Sequence, residues 1–348
     1  MGYADTPPRT TNFELPDEHA CVFGDTNTLT GVYTPDATQS ETGRESPPCA
    51  LYLTAGLLHH IGPSRLHVEM ARALSMRGVA GFRFDLSGVG DSETGSLGGY
   101  FMERSVQEVM QCMNFLQTTY GHKRFILFGL CSGADDALAT ALQDRRVVGV
   151  ALLNGYSYKA GWFKLHKVMA FYLPRLMSVS KVRNRLRGLT ARISSRFAPE
   201  AEDTNASLRP RAALDPDATD SMVSLLKSDL KVASGDVVSA EDQAALNALD
   251  DNYRYVPPQE LMADNLNQLL GQNTDMLFVF TGSEYETYTY QGQLMAMFPT
   301  LKNSSLVTEK YIRQSDHAVI LEEDRRLVIE TVSDWLNVAR FGRESSKG

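Results

Sequence analysis

Apolar positions change period along this chain, and the changes outline its elements. Two short runs, His19–Phe23 and residues 29–33, flank a Gly-Asp-Thr-Asn turn and predict an opening hairpin. Residues 36–48 are rich in Ser, Thr, Pro and Glu and read as a loop. Residues 50–54, 79–84, 124–128 and 147–153 are near-continuous apolar runs of strand length. Between them lie helical stripes. One spans 64–77, with Leu66, Val68, Met70, Ala71 and Leu74 on one face. A second spans 103–120, with Val106, Val109, Met110, Met113 and Leu116; a third spans 134–142. Gly78 and Gly121 close the first two. Strands apolar on both faces, alternating with helices, predict an α/β fold whose central sheet is mostly parallel and flanked by helices. The alternation stops at 156. Residues 156–272 hold helix-like segments (157–196, 219–230, 240–249, 257–271) without strands. Strand patterns return at 276–280 and 305–312, followed by a helix over 325–340. The expected organisation is therefore a core of 1–155 and 273–348, with 156–272 as a helical lid inserted between two strands of one sheet.

Length and composition sharpen this outline. With 348 residues, 43% hydrophobic, the chain can bury a core without disulfide or metal staples. The four cysteines, Cys21, Cys49, Cys112 and Cys131, have neither CxxC nor zinc spacing. The first twenty residues contain no apolar signal core, and no run of 18 apolar residues occurs anywhere. The expectation is a cytoplasmic protein with reduced thiols and no membrane span. A net charge of −8 argues against general nucleic-acid binding. That average hides a split: residues 157–199 carry ten Lys/Arg and no Asp/Glu, leaving 24 basic against 42 acidic residues elsewhere, a balance of −18.

The sharpest chemical feature is Gly129-Leu130-Cys131-Ser132-Gly133, which follows a strand and opens a helix. A nucleophile on such a tight turn needs glycine on either side, because side chains there would meet the neighbouring strand and helix. Cys131 occupies the middle position. A frame shifted to Ser132 would put Leu130 in a glycine place, which sterics disfavour. An inert buried thiol is the third reading. A helix N-terminus and a nearby His both favour thiolate, the nucleophilic form, and the Ser132 amide would face a developing oxyanion. His317, in Ser315-Asp316-His317 after the last strand, is the candidate general base and acid. Asp316 beside it is a poor triad acid, since adjacent loop residues point apart. The acid is expected just past the strand 276–280, as Glu284 or Glu286, with Glu284 nearer the strand end. The loop Ala55-Gly56-Leu57-Leu58-His59-His60 follows the strand 50–54. His59 and His60 have no third ligand spaced with them, so no metal is expected, and His59 is assigned to the pocket with Tyr156 and Trp162. Gly88-Val89-Gly90 after a strand is a weak dinucleotide signal without a third glycine, so no cofactor is expected.

Together these pieces resemble the α/β-hydrolase superfamily. Phe82-Arg83-Phe84-Asp85-Leu86-Ser87-Gly88-Val89-Gly90-Asp91-Ser92 is similar to its Asp-x-x-Gly-x-Gly-x-Ser loop. Gly129–Gly133 is similar to its elbow, and Ser315-Asp316-His317-Ala318-Val319 to its His loop. The resemblance covers about residues 50–156 and 273–340, with 157–272 in the lid position. A Cys nucleophile places it with dienelactone hydrolases and polyhydroxyalkanoate synthases, and the loop and elbow pairing is similar to exosortase-associated hydrolases. It implies the α/β-hydrolase fold, a second oxyanion amide at Leu57 in the loop after the strand 50–54, and a Cys131–His317–Glu284 triad, but no particular substrate. The expected function is hydrolysis of an ester, thioester or lactone through an acyl-Cys131. The aromatic, cationic segment points to an acyl chain on an anionic handle, as in acyl-CoA or an acyl-carrier protein; a solvated helix pair and a membrane-surface helix are the other readings of that segment. The alternatives for the whole chain are an acyltransferase or condensing enzyme passing the acyl group to an alcohol or amine, and a non-catalytic binding protein.

Overall fold

A computed structural model describes residues 16–26, 28–38, 47–94, 101–169 and 256–336. Its strands are β1 (His19–Phe23), β2 (Leu29–Thr34), β3 (Cys49–Leu53), β4 (Gly81–Phe84), β5 (Phe125–Leu130), β6 (Val147–Leu153), β7 (Asp275–Thr281) and β8 (Val307–Ile312). They form one sheet in the order β1-β2-β4-β3-β5-β6-β7-β8. The opening hairpin joins antiparallel, β1 to β2 and β2 to β4, and every later pairing is parallel. The helices are α1 (Leu66–Ser75), α2 (Phe101–Tyr120), α3 (Ser132–Gln143), α4 (Phe163–Lys167), α5 (Gln259–Gly271), α6 (Gln293–Met297) and α7 (Glu322–Trp335).

Strand alternation divides the apolar residues between two faces. Leu51, Leu127, Val150, Leu152 and Phe278 pack in one cluster with Val109 and Met113 of α2, Ala137 of α3, and Met262, Leu266 and Leu269 of α5. Tyr52, Ile126, Phe128, Ala151 and Leu277 pack in the other with Leu66 and Met70 of α1 and Val328, Val332 and Trp335 of α7. Strands β3, β5 and β7 are buried along their whole length, which is why they read as continuous apolar runs. At about 1.5–3 kcal/mol for each large apolar side chain, these two layers supply most of the driving force for folding.

Helix ends differ from the periodic reading for local reasons. The first helix starts at Leu66 rather than 64, because Ser64 and Arg65 have φ of 48° and 68°. Helix α3 starts at Ser132, two residues before its first apolar side chain. Helix α7 starts at Glu322, and its first turn carries Glu322, Glu323 and Asp324, which the helix dipole favours. The described residues belong to one compact unit. Both flanks of the expected lid, 156–169 and 256–272, fall among the described residues. The expected helices at 219–230 and 240–249, and most of 157–196, lie outside the described residues. No helix among the described residues is long and apolar enough to cross a membrane.

Candidate active site

The six parallel strands, β3 to β8, deliver six loops to one edge of the sheet. Between β5 and α3, Cys131 takes φ 54° and ψ −117°, a conformation costly for a residue with a side chain. The surrounding packing enforces it. A Cβ on Gly129 would collide with the Gly133 carbonyl, and one on Gly133 would lie 2.5 Å from the Leu53 carbonyl oxygen. The Cys131 amide donates to the Leu153 carbonyl at 2.8 Å, which pins the turn to β6. Ser132 is the first residue of α3, so its amide has no acceptor within the helix and points with the positive end of the helix dipole. Its hydroxyl is engaged elsewhere, accepting the Gly56 N–H at 2.7 Å.

His317 meets two of the expected partners. Its Nδ1 lies 2.7 Å from Glu284 Oε1, and Glu284 ends a short 3-10 turn directly after β7. A hydrogen bond with the Cys131 side chain, joined by the bond to Glu284, raises the His317 pKa to about 10 against the opposing effect of burial. Nδ1 is held by Glu284, leaving Nε2 for Cys131. Glu286 is elsewhere: it is 61% exposed and takes Lys167 Nζ at 2.6 Å. Asp316 turns back on its own loop, accepting the Ala318 and Ile320 amides at 2.9 and 3.1 Å.

The loop after β3 is tethered on both sides of Leu57. Upstream is the Gly56 bond to Ser132; downstream, the His60 amide donates to Asp85 Oδ1 at 2.6 Å and His60 Nδ1 lies 2.7 Å from Asp85 Oδ2. Leu58 N–H closes the turn onto Ala55 O at 3.1 Å. Asp85 is fully buried and also accepts the Asp91 amide at 3.0 Å. Burial acts to raise its pKa, but the hydrogen bonds from His60 and Asp91 and the two nearby imidazoles hold the carboxyl below its usual value. His59 Nε2 lies 3.1 Å from Asp91 Oδ2. Thus the third and fourth groups that sequence spacing did not supply to His59 and His60 arrive from the loop after β4. The ligand atoms of His59, His60, Asp85 and Asp91 lie within 4.8 Å of one another, a donor set that could hold a metal ion. Asp85, however, already accepts three hydrogen bonds, so the cluster is satisfied as a clasp between two loops. The motif at 85–92 that reads as a weak dinucleotide signal is half of that clasp.

The other assigned pocket residues differ in environment. Tyr156 is 7% exposed and packs in the core cluster on the α2 and α3 face. Trp162 is 68% exposed at the start of α4. One residue that carried no sequence signal is Asn154, which follows β6 with φ 52° and is completely buried.

No protein-family model matches the chain, and no curated protein matches it. Solved structures do. An esterase from Pyrococcus furiosus, in two crystal forms, aligns over 92% of this chain with TM-scores of 0.51 and 0.50. Identity is 12% and 11%, covering 91% and 92% of the esterase chain. A mouse α/β-hydrolase domain-containing protein aligns over 92% of this chain and 99% of its own, at 13% identity and a TM-score of 0.44. The chain has the α/β-hydrolase fold: an eight-stranded, mostly parallel sheet between helices.

Proposed function

We propose that this chain is an esterase-type hydrolase that works by acyl transfer through Cys131, His317 and Glu284. The observation that carries the reading is His317, bonded at Nδ1 to Glu284 at 2.7 Å and hydrogen-bonded on its other side to a cysteine on a strained strand-to-helix turn. The same fold in the Pyrococcus furiosus esterase supports an ester-type carbonyl as the target. The raised His317 pKa favours a thiolate–imidazolium pair at rest. The thiolate attacks the carbonyl carbon of an ester, thioester or lactone; a C–S bond forms, and the electron pair moves onto oxygen. The Ser132 and Leu57 amides hold that oxyanion. As the carbonyl re-forms, the bond to the leaving group breaks and the imidazolium proton passes to it. The neutral imidazole then takes a proton from water, hydroxide adds to the acyl carbon, and the thiolate leaves as the carboxylic acid is released. Glu284 keeps the ring oriented and balances its charge throughout. The exposed Trp162 beside Lys159 and Lys164, continuing into the basic sequence up to 199, supports an acyl group carried on CoA or a carrier protein.

Intact-mass spectrometry with a panel of acyl-CoA, aryl-ester and lactone substrates tests this. Wild type is expected to gain one acyl mass, located at Cys131, that clears in water. Cys131→Ala is expected to gain none and to lose turnover by roughly 10⁴-fold or more while keeping its far-UV circular dichroism. Full turnover by Cys131→Ala would end the reading. An adduct that clears only when an alcohol or amine is added would make the chain an acyltransferase instead.

A further inference from the structure

We infer that Asn154 is a positioning residue that ties the loops of the nucleophile, the acid and the base into one unit; this rests on the triad proposed above. Asn154 follows β6 directly, and β6 lies between the elbow strand β5 and the acid strand β7. The residue before it, Leu153, accepts the Cys131 amide at 2.8 Å. The Asn154 amide itself donates to Val279 O of β7 at 2.9 Å. Its side chain then makes two separate connections. Oδ1 accepts the Thr281 backbone N–H at 2.9 Å, and Nδ2 lies 3.1 Å from Thr281 Oγ1, at the point where the chain turns toward Glu284. Nδ2 also donates to the His317 carbonyl at 3.1 Å.

The chemistry fits asparagine and few other residues. Asn154 has φ 52°, in the left-handed region where Asn is tolerated far better than apolar or branched residues. The site demands an acceptor toward Thr281 N–H and a donor toward a carbonyl from one short planar group, and an amide offers both. Because the side chain is completely buried, a lost bond would not be replaced by bulk water. The titratable partners of His317 are the Cys131 side chain and the Glu284 carboxylate, and both bonds depend on where the His317 loop sits. Asn154 reaches that loop through the backbone carbonyl of His317 and touches neither the ring nor the thiol in any of these bonds.

The test is the pH profile of Cys131 alkylation by iodoacetamide, read by peptide mass, together with kcat, KM and thermal stability. Asn154→Asp keeps the shape, the backbone angle and the acceptor for Thr281 but, once ionised, loses the donor to His317. Asn154→Gly removes the side chain and tolerates the angle. Both are expected to slow alkylation at pH 7.5 by about tenfold, the thiolate fraction an ordinary thiol keeps there, and to move the profile toward that of His317→Ala. They are expected to lower kcat with little change in KM. Val332→Ala, on α7 within the opposite core layer, serves as a control for lost stability alone and is expected to leave the profile in place. A wild-type profile in Asn154→Asp above neutral pH, or in a folded Asn154→Gly, overturns the inference while leaving the triad intact. If wild-type Cys131 reacts no faster than Cys21, the triad reading falls and this inference with it.

Discussion

Cys131 and His317 set the first prediction. His317 keeps its proton until about pH 10 because its bonds to Cys131 and Glu284 favour the imidazolium. In the proposed triad that proton pairs with a Cys131 thiolate across the neutral range. Alkylation of Cys131 is expected to vary little between about pH 6.5 and about pH 9, whereas in His317→Ala it should climb with pH around the ordinary thiol value of about 8.5. Stopped alkylation at a series of pH values reads this directly, and identical profiles would contradict it. The sign for stability follows from the same shift. A histidine with a raised folded pKa stabilises fully below its unfolded value of about 6.5, and that contribution is lost as pH rises toward 10. Glu284→Gln should lower kcat by roughly 10²–10⁴-fold, since an amide can hold Nδ1 but not balance the charge, while Glu286→Gln, which frees only Lys167, should leave kcat within about twofold. Sequence spacing alone ranked these two acids by distance from a strand end. What separates them in space is a lysine from α4 that occupies Glu286.

Elements act through how they are tied together. The loop after β3 is bracketed by Ser132 at Gly56 and by Asp85 at His60, so the backbone at Leu57, the proposed second oxyanion donor, is held by two bonds from different parts of the chain. Ser132→Ala should cut the upstream tether and lower kcat by up to about 10²-fold, no more than the loss of an oxyanion donor, with the fold intact. Unchanged kcat would show that the downstream clasp is sufficient. The interface of α2 with α3 makes a different prediction. Burial first of all, with the neighbouring Asp135 and Glu108 carboxylates, raises Asp136 to about 7 despite the bond from Ser105. A raised carboxyl stabilises below its unfolded value, near 4, and loses that contribution as pH rises through 7. Asp136→Asn should thus raise the melting temperature at pH 8, by a free energy on the order of a few kcal/mol, and change it little near pH 4. Thermal melts across that range check it; an equal shift at both ends would mean that charge is not the cause. Neither network is visible as a pattern, because each joins residues more than twenty positions apart.

At the scale of the whole chain, charge is divided between the basic stretch from 157 to 199 and an acidic balance of −18 over all the other residues. If that stretch receives an anionic handle, KM for a CoA thioester should rise steeply with salt. KM for the N-acetylcysteamine analogue, which lacks the phosphates, should not. Steady-state kinetics at low and high salt give the comparison, and equal salt dependence would remove the anionic handle from the proposal while leaving the acyl chemistry untouched.

The sequence by itself determined the layers of this protein. Both-face burial writes itself as continuous apolar runs, and amphipathic helices write themselves as stripes, so the α/β sheet and its flanking helices were legible as elements, with helix starts displaced by two or three residues. The elbow was legible too, because Gly129 and Gly133 are demanded by backbone contacts that admit no side chain. Only the tertiary structure decided which groups meet. Glu284 reaches His317 across 33 positions, Asp85 reaches His60 across 25, and Asn154 reaches His317 across 163. Such meetings depend on strand order and on where each strand ends, and local periodicity encodes neither. Hydrogen-bond partners of buried polar groups are a property of the assembled edge of the sheet, and they come into being only when the strands lie side by side.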